Sequence, residues 1–403
     1  MSNEQFWDGY SNQPHVIRDK ELKREIYKSS LFAHLKLLFF NIVMMPFVMI
    51  AYFLKLFENS SGGDNHDIFC MGVSLENSVE DEKQMLKELG VKKLLVRFPM
   101  WEMDRLSEYK EYVKSFSEYE VMINLMQSRT HIENHDKLKE DIKKIFEAFE
   151  GVSEYQVGTT INRKKWRFYS VDEFLEFFEV VQSVRDENYH DKKLIGSSVI
   201  DFEYHFSLRS LFNFYRVFYD RFSTLLYVDR RGSPFNTQAG FDFLKKINLL
   251  WGMVKLSPKS SDTIYITETN WPITGTAPYA PTSEKECVNL DEYSEYMVAY
   301  HLVSLASKKI DRVYWHQLVA HGYGLYSQVD GKKYPAFFAY QFMTGMLKDK
   351  KLLDFDVKSD IKWFKFEGVE VFYHEDGFDS EFVMTGDRDV YGKEYKNGKV
   401  LYR

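Results

Sequence analysis

From Asp67 onward, eight short apolar and β-branched runs recur, each followed by a longer stretch with helical spacing. The runs fall at 68–73, 94–98, 121–125, 155–158, 194–200, 224–228, 263–267 and 312–317. Helical patterns such as 79–89 and 172–184 lie between them, and Ser170 with Glu173 has the spacing of a capping box before the latter. Parallel strands need crossover helices, so this alternation predicts an α/β fold. Eight units in one chain predict a closed (β/α)8 barrel. Pro335 opens a last helix through 346, and after Asp354 the pattern changes to short alternating strands with Gly turns. A small antiparallel β appendage is expected there.

The second constraint lies near the N-terminus. Residues 37–54 read LLFFNIVMMPFVMIAYFL, without a charge and interrupted by Asn41 and Pro46 alone. Eighteen helical residues span about 27 Å, close to the thickness of the hydrocarbon. Arg18, Lys20, Lys23, Arg24, Lys28 and Lys36 precede the run, while Lys55 stands alone after it. That bias predicts an uncleaved single-pass anchor in a bacterial inner membrane, its N-terminus cytoplasmic and the rest periplasmic. A run apolar all round argues against a surface-lying amphipathic helix. The competing reading is a hairpin or monotopic helix kinked at Pro46, which would leave the barrel cytoplasmic. The expected organisation is therefore an N-terminal segment at 1–36, an anchor at 37–57 and a linker at 58–66. A barrel at 67–348 and a β appendage at 349–403 follow.

Composition excludes some functions. The chain has 403 residues and a formal net charge of −7, which gives nucleic acid no electrostatic hold. Its two cysteines, Cys70 and Cys287, lie far apart and suggest neither a disulfide framework nor a zinc site. His205, His316 and His321 lack the close-spaced pairing of metal ligands, so no metal and no cofactor is expected.

In a barrel of this kind the chemistry sits on the loops after the strands. Arg97, Trp101 and Glu102 follow the second run, Gln127 and Arg129 the third. Thr159, Thr160, Asn162 and Arg163 follow the fourth; Asp201, Glu203 and His205 follow the fifth. Asp229, Arg230 and Arg231 come after the sixth, Glu268, Asn270 and Trp271 after the seventh, and Trp315, His316 and Gln317 at the eighth. Tyr227 and Tyr265 fall inside runs and read as core.

Three of these segments, IYITETNWP, VYWHQL and PAFFAYQFM before a β tail, resemble the corresponding parts of clan A glycoside hydrolases. The resemblance extends from Asp67 to the C-terminus. It implies that Glu268 is the nucleophile at the end of the seventh strand, and that Trp315 floors a sugar site. Trp271, an aromatic at the seventh strand end, is a second candidate platform in its own right. The clan's fourth strand ends in Asn-Glu, the Glu being the acid/base; here Thr159 and Thr160 stand at those positions. Retaining hydrolysis needs a second carboxylate about 5 Å from the first. Three readings remain open: Glu203 or Glu102 supplies the acid, with Glu203 preferred; a Tyr nucleophile operates instead; or the barrel binds glycan without cleaving it.

Five arginines at the strand ends (Arg97, Arg129, Arg163, Arg230, Arg231) suit a carboxylated sugar, since guanidinium forks bind carboxylates bidentately. With a membrane anchor, this points to an acidic glycan or glycolipid of the bacterial envelope. The chain also resembles membrane-bound Kdo hydrolase components of lipopolysaccharide modification. A role as the glycan-binding subunit of a partner enzyme is the alternative.

Overall fold

The computed structural model describes residues 19–60 and 67–403 and omits the side chain of Arg230. Residues 61–66, most of the expected linker, and residues 1–18 lie outside the described residues.

Eight parallel strands close into one barrel in sequence order. They are β1 (Phe69–Val73), β2 (Lys93–Pro99), β3 (Glu120–Met126), β4 (Glu154–Val157), β5 (Lys193–Ile200), β6 (Arg221–Leu225), β7 (Ile264–Thr269) and β8 (Arg312–Trp315). β8 returns to β1 with Trp315 beside Met71. Each overlaps its expected run. The strands are buried on both faces, as helices cover the outside and side chains fill the inside. Cys70, Leu95, Met122, Ile195, Tyr265 and Tyr314 make a separate buried cluster of strand residues. Below it Arg312 joins Glu154 at 2.7 Å and also pairs with Glu120.

The outer helices are α3 (Val79–Leu89), α4 (Leu106–Ser115), α5 (Arg129–Glu133), α6 (His135–Ala148), α7 (Val171–Asn188), α8 (Tyr204–Leu211), α9 (Phe243–Leu256), α10 (Leu290–Ser307) and α11 (Pro335–Leu347). Their starts are set by side-chain caps: Ser78 for α3, Ser170 for α7, and a full capping box of Asn289 with Glu292 for α10. At α7 the box is incomplete, because the Glu173 carboxylate accepts from the Tyr169 amide and from Arg129. After the barrel, β9 (Leu352–Asp356), β10 (Lys362–Phe366), β11 (Val369–Tyr373) and β12 (Val400–Tyr402) form the small antiparallel sheet. It packs on α10.

Two helices precede the barrel, α1 (Lys20–Ser29) and α2 (Leu31–Phe53). α2 runs through Pro46 and is long and apolar enough to cross a membrane by length and composition. It does not stand free. One face packs on α8 and α9, burying Val48 and Ala51, while the other is exposed.

Candidate active site

A cavity of about 680 Å³ opens at the C-terminal ends of the strands, lined by Arg97 of β2 and by the loops after β4, β5, β6, β7 and β8. At its floor lies Glu268, the penultimate residue of β7, with its side chain 13% exposed. Arg97, near the end of β2, pairs with one carboxylate oxygen, and the Tyr227 hydroxyl donates to the other at 2.8 Å. The Arg231 guanidinium lies over the Tyr227 ring, 3.6 Å from its centroid. Burial pushes the Glu268 carboxyl up, but the Arg97 charge, the Tyr227 hydrogen bond and Arg231 outweigh it and hold the group below its ordinary range. The site therefore presents a desolvated, ionised carboxylate. His316 beside it is kept neutral: burial and Arg97 push its pKa down to about 3.

Tyr227 corrects the sequence reading. β6 ends at Leu225, three residues earlier than the apolar run suggests, so Tyr227 falls on the loop and its hydroxyl enters the cavity. The backbone of these loops is unusual. Thr160, Asp201 and Arg231 all line the cavity with φ of 49°, 62° and 55°, left-handed values that non-Gly residues adopt at a cost. The turns are thus shaped for the cavity rather than for local comfort.

Of the residues singled out in the sequence, Arg97, Arg163, Asp201, Glu203, Asp229, Arg231, Glu268, Asn270 and His316 line the cavity. Glu203 is held on both oxygens, by Arg163 at 2.7 Å and by Asn162 at 2.7 Å. Arg163 also holds Asp201 at 2.7 Å. This is a structural ion-pair network, and it gives Glu203 the surroundings of an acceptor rather than of a proton donor. Asn162 fixes the β5 end as well, exchanging hydrogen bonds of 3.0 Å with Ile200.

The rest are placed elsewhere. Trp315 and Trp271 are buried at 0% and 1% exposure and stack on each other with centroids 5.8 Å apart, so they are wall rather than sugar platforms. Their indole N–H groups donate to Tyr293 and to the Gly232 carbonyl. Arg129 is forked onto Glu173 with two bonds of 2.8 Å, outside the cavity. Trp101 and Glu102 sit on the turn after β2, where Glu102 accepts from Arg105 and Tyr109. Gln127 braces the fourth loop, exchanging 2.9 Å bonds with the backbone of Thr159. His205 does not line the cavity; its carbonyl accepts from Asn41 of α2. Gln317 does not line the cavity, and the Arg230 side chain lies outside the described residues.

Lys165 and Tyr323 line the cavity without having been singled out. Both sit on loops without periodicity, Lys165 in the run RKKW after β4. Burial lowers the Lys165 pKa, with the Glu268 charge opposing. Among the described residues, neither Lys165 nor Arg231 has a carboxylate partner within ion-pair distance, and Arg231 Nη1 is buried without a hydrogen bond. Among the described residues no cluster of His, Cys, Asp and Glu could hold a metal.

The geometry can be set beside known structures. A family 39 glycoside hydrolase from the gut symbiont Bacteroides cellulosilyticus WH2 superposes with a TM-score of 0.61 at 13% identity, over 84% of this chain and 81% of that one. A GH30 endoxylanase from Clostridium papyrosolvens C71 gives 0.56 at 11% identity, over 85% of this chain and 97% of that one. The fold is a (β/α)8 barrel, as in these two glycoside hydrolases. A glucosidase from Croceicoccus marinus agrees, with a TM-score of 0.55 at 14% identity and 81% of each chain covered. By sequence, the chain matches no family model and no curated protein. At these identities the likeness is one of fold. In this barrel, Glu268 ends β7 and faces the mouth.

Proposed function

We propose that the chain is a glycoside hydrolase that releases an anionic sugar from a bacterial envelope glycolipid, with the carboxylated keto sugar Kdo of lipopolysaccharide as the favoured substrate. One observation carries the reading: Glu268 is an ionised, desolvated carboxylate at the floor of an open cavity, held by Arg97 and Tyr227. A carboxylate so fixed attacks an anomeric carbon or stabilises the positive charge that develops there, and its geometry costs no reorganisation during reaction.

The anionic substrate rests on Arg231 and Lys165. Arg97 and Arg163 are already neutralised by Glu268, Asp201 and Glu203, so the arginine count alone overstates the case. Arg231 and Lys165 are cavity cations without a carboxylate at ion-pair distance among the described residues, in a lining that also holds Asp229 and Glu286, and a sugar carboxylate is a complementary group for them. The apolar α2 supports attachment to an inner membrane and hence a lipid-linked substrate. If α2 crosses, the cations ahead of it favour a periplasmic barrel.

Departure of the sugar's leaving oxygen needs a proton. Glu203 supplies it only if substrate draws Arg163 away from it, since both Glu203 oxygens are otherwise engaged. That engagement, with Thr159 and Thr160 at the end of β4, favours the second reading, a glycan-binding barrel that serves a partner enzyme. Incubating the purified full chain with isolated lipopolysaccharide and measuring free acidic sugar separates the two. Release supports hydrolysis; saturable binding without release supports the partner role.

A further inference from the structure

We infer that α2 lies in the plane of a bilayer surface, submerged by its outward face, and so turns the rim of the barrel mouth toward the lipid headgroups. The inference concerns how the chain meets the membrane and does not depend on hydrolysis.

The contacts of α2 exclude a free-standing rod. Near its start, Lys36 pairs with Asp172, the second residue of α7, at 2.9 Å. At its middle, Asn41 donates to the carbonyl of His205, the second residue of α8, at 2.9 Å. At its end, Tyr52 packs on Phe241, next to the Asp242 cap of α9, with centroids 5.6 Å apart. α2 therefore crosses three successive barrel helices, meeting α7 and α9 near their N-terminal ends, which lie at the mouth, and spanning the short α8, where Phe40 also touches Arg209 and Phe214. A helix of 23 residues is about 35 Å long, so this crossing occupies it from end to end. Standing upright in a bilayer, it would draw the charged barrel flank into the hydrocarbon with it.

The outward face is made for lipid. Leu35, Phe39, Ile42, Phe47, Ile50 and Phe53 are each more than half exposed, while the inward face holds Val48 and Ala51 against the barrel. Phe214, beside Phe40, extends the same apolar surface onto the barrel. An exposed apolar strip of this extent on a docked helix marks a membrane or protein contact surface.

Charge supplies the independent observation. In the sequence the cations precede α2 and only Lys55 follows, as a crossing helix would require. Folding changes this. Lys55, Lys245, Lys309 and Lys358 line, with Tyr52 and Phe53, a cavity of about 540 Å³ at the far end of α2, where Glu58 and Asp242 pair with Lys55 at 2.9 Å and Lys245 at 3.5 Å. At the near end Lys20, Lys23, Arg24 and Lys28 of α1 are exposed, and Lys164 on the loop after β4 lies over Tyr27 of α1. Cations thus outnumber acids at both ends of α2, four to two on α1 with Glu21 and Glu25 and four to two in the far cavity with Glu58 and Asp242, which fits two ends at one anionic headgroup level. The loop that carries Lys164 also places Lys165 in the cavity wall, so the mouth adjoins the lipid surface.

Topology decides the matter in the full-length membrane-bound protein. In a Cys287→Ser background, where Cys70 is buried, Glu21→Cys and Ser380→Cys are each reacted with a membrane-impermeant maleimide in spheroplasts and in inverted vesicles. In-plane attachment predicts that both react from the same side; reaction from opposite sides overturns it. Flotation with vesicles containing anionic phospholipid guards against a merely soluble chain. The wild type is expected to float, and a Phe39→Glu/Ile42→Glu/Phe47→Glu variant, altered only on the exposed face, to lose at least tenfold in bound fraction. A wild type that fails to float and instead self-associates or binds another protein through this face overturns the inference. None of these readouts involves hydrolysis, so the glycosidase reading stands or falls separately.

Discussion

The Tyr227 hydroxyl donates to Glu268 Oε1 at 2.8 Å across the gap between the β6 loop and the end of β7. Arg97 takes the other oxygen from the far side. The two contacts fix the orientation of the carboxylate and favour its ionised form. Removing the hydroxyl by Tyr227→Phe keeps the ring under Arg231 but leaves one Glu268 oxygen short of a donor. A hydrogen bond to a charged group contributes about 1.5 to 3 kcal/mol. The variant should lose stability of that order in denaturant titrations and turn over at least tenfold more slowly.

Arg97→Met leaves a buried carboxylate without its cation. Breaking such a pair from one side costs about 3 to 5 kcal/mol. Adding Glu268→Gln removes the orphaned charge and should restore most of that loss, a coupling that a double-mutant cycle measures directly. The pH dependence follows with a definite sign. In the wild type Glu268 is held below its ordinary value, so the stability it contributes is present above that value and is lost as pH falls through the folded one. Without Arg97 the folded value rises, and the acid limb of kcat/KM should move to higher pH.

Trp315 and Trp271 stack in the barrel wall. Trp315→Ala should therefore cost about 3 to 5 kcal/mol of stability, as large core truncations do. Trp271→Phe, which keeps most of the volume, should change KM by less than twofold. A sugar platform would show the reverse, with a stable protein and a sharply raised KM.

Glu82 on α3 is buried beneath the Tyr112 hydroxyl and Asn77, and burial pushes its pKa up to about 7. A carboxyl raised in the folded state contributes stability that is full below its unfolded value of 4.5 and is lost as pH rises through about 7. Glu82→Gln should make the protein about 2 to 3 kcal/mol more stable than wild type at pH 8, with little difference at pH 4.5. Thermal melts across that range read the difference.

The barrel is legible in the sequence because each strand is a compact apolar run bounded by turn residues, and the count of eight leaves little else to build. Glu268 is legible because it ends such a run. What the sequence hides is which way a side chain at a strand end faces and what it pairs with. Trp315 and Trp271 read as platforms, yet register turns both into the wall. Arg129 and Arg163 read as substrate ligands, yet they meet Glu173, Asp201 and Glu203 from distant segments. Tyr227 was hidden by a three-residue shift in β6, and Lys165 by a loop without periodicity. The docking of α2 left no trace because a helix apolar all round does not announce which face is covered.

The most direct test of the account is single-turnover release of acidic sugar from lipopolysaccharide by the full chain, compared with Glu268→Gln. Gln preserves shape and the Tyr227 contact but removes the charge, and the variant's melting temperature shows whether the fold is intact. The account predicts a loss of at least about a thousandfold, the order seen when a group acting on the transition state is removed. Release at the wild-type rate by a folded Glu268→Gln protein would contradict it.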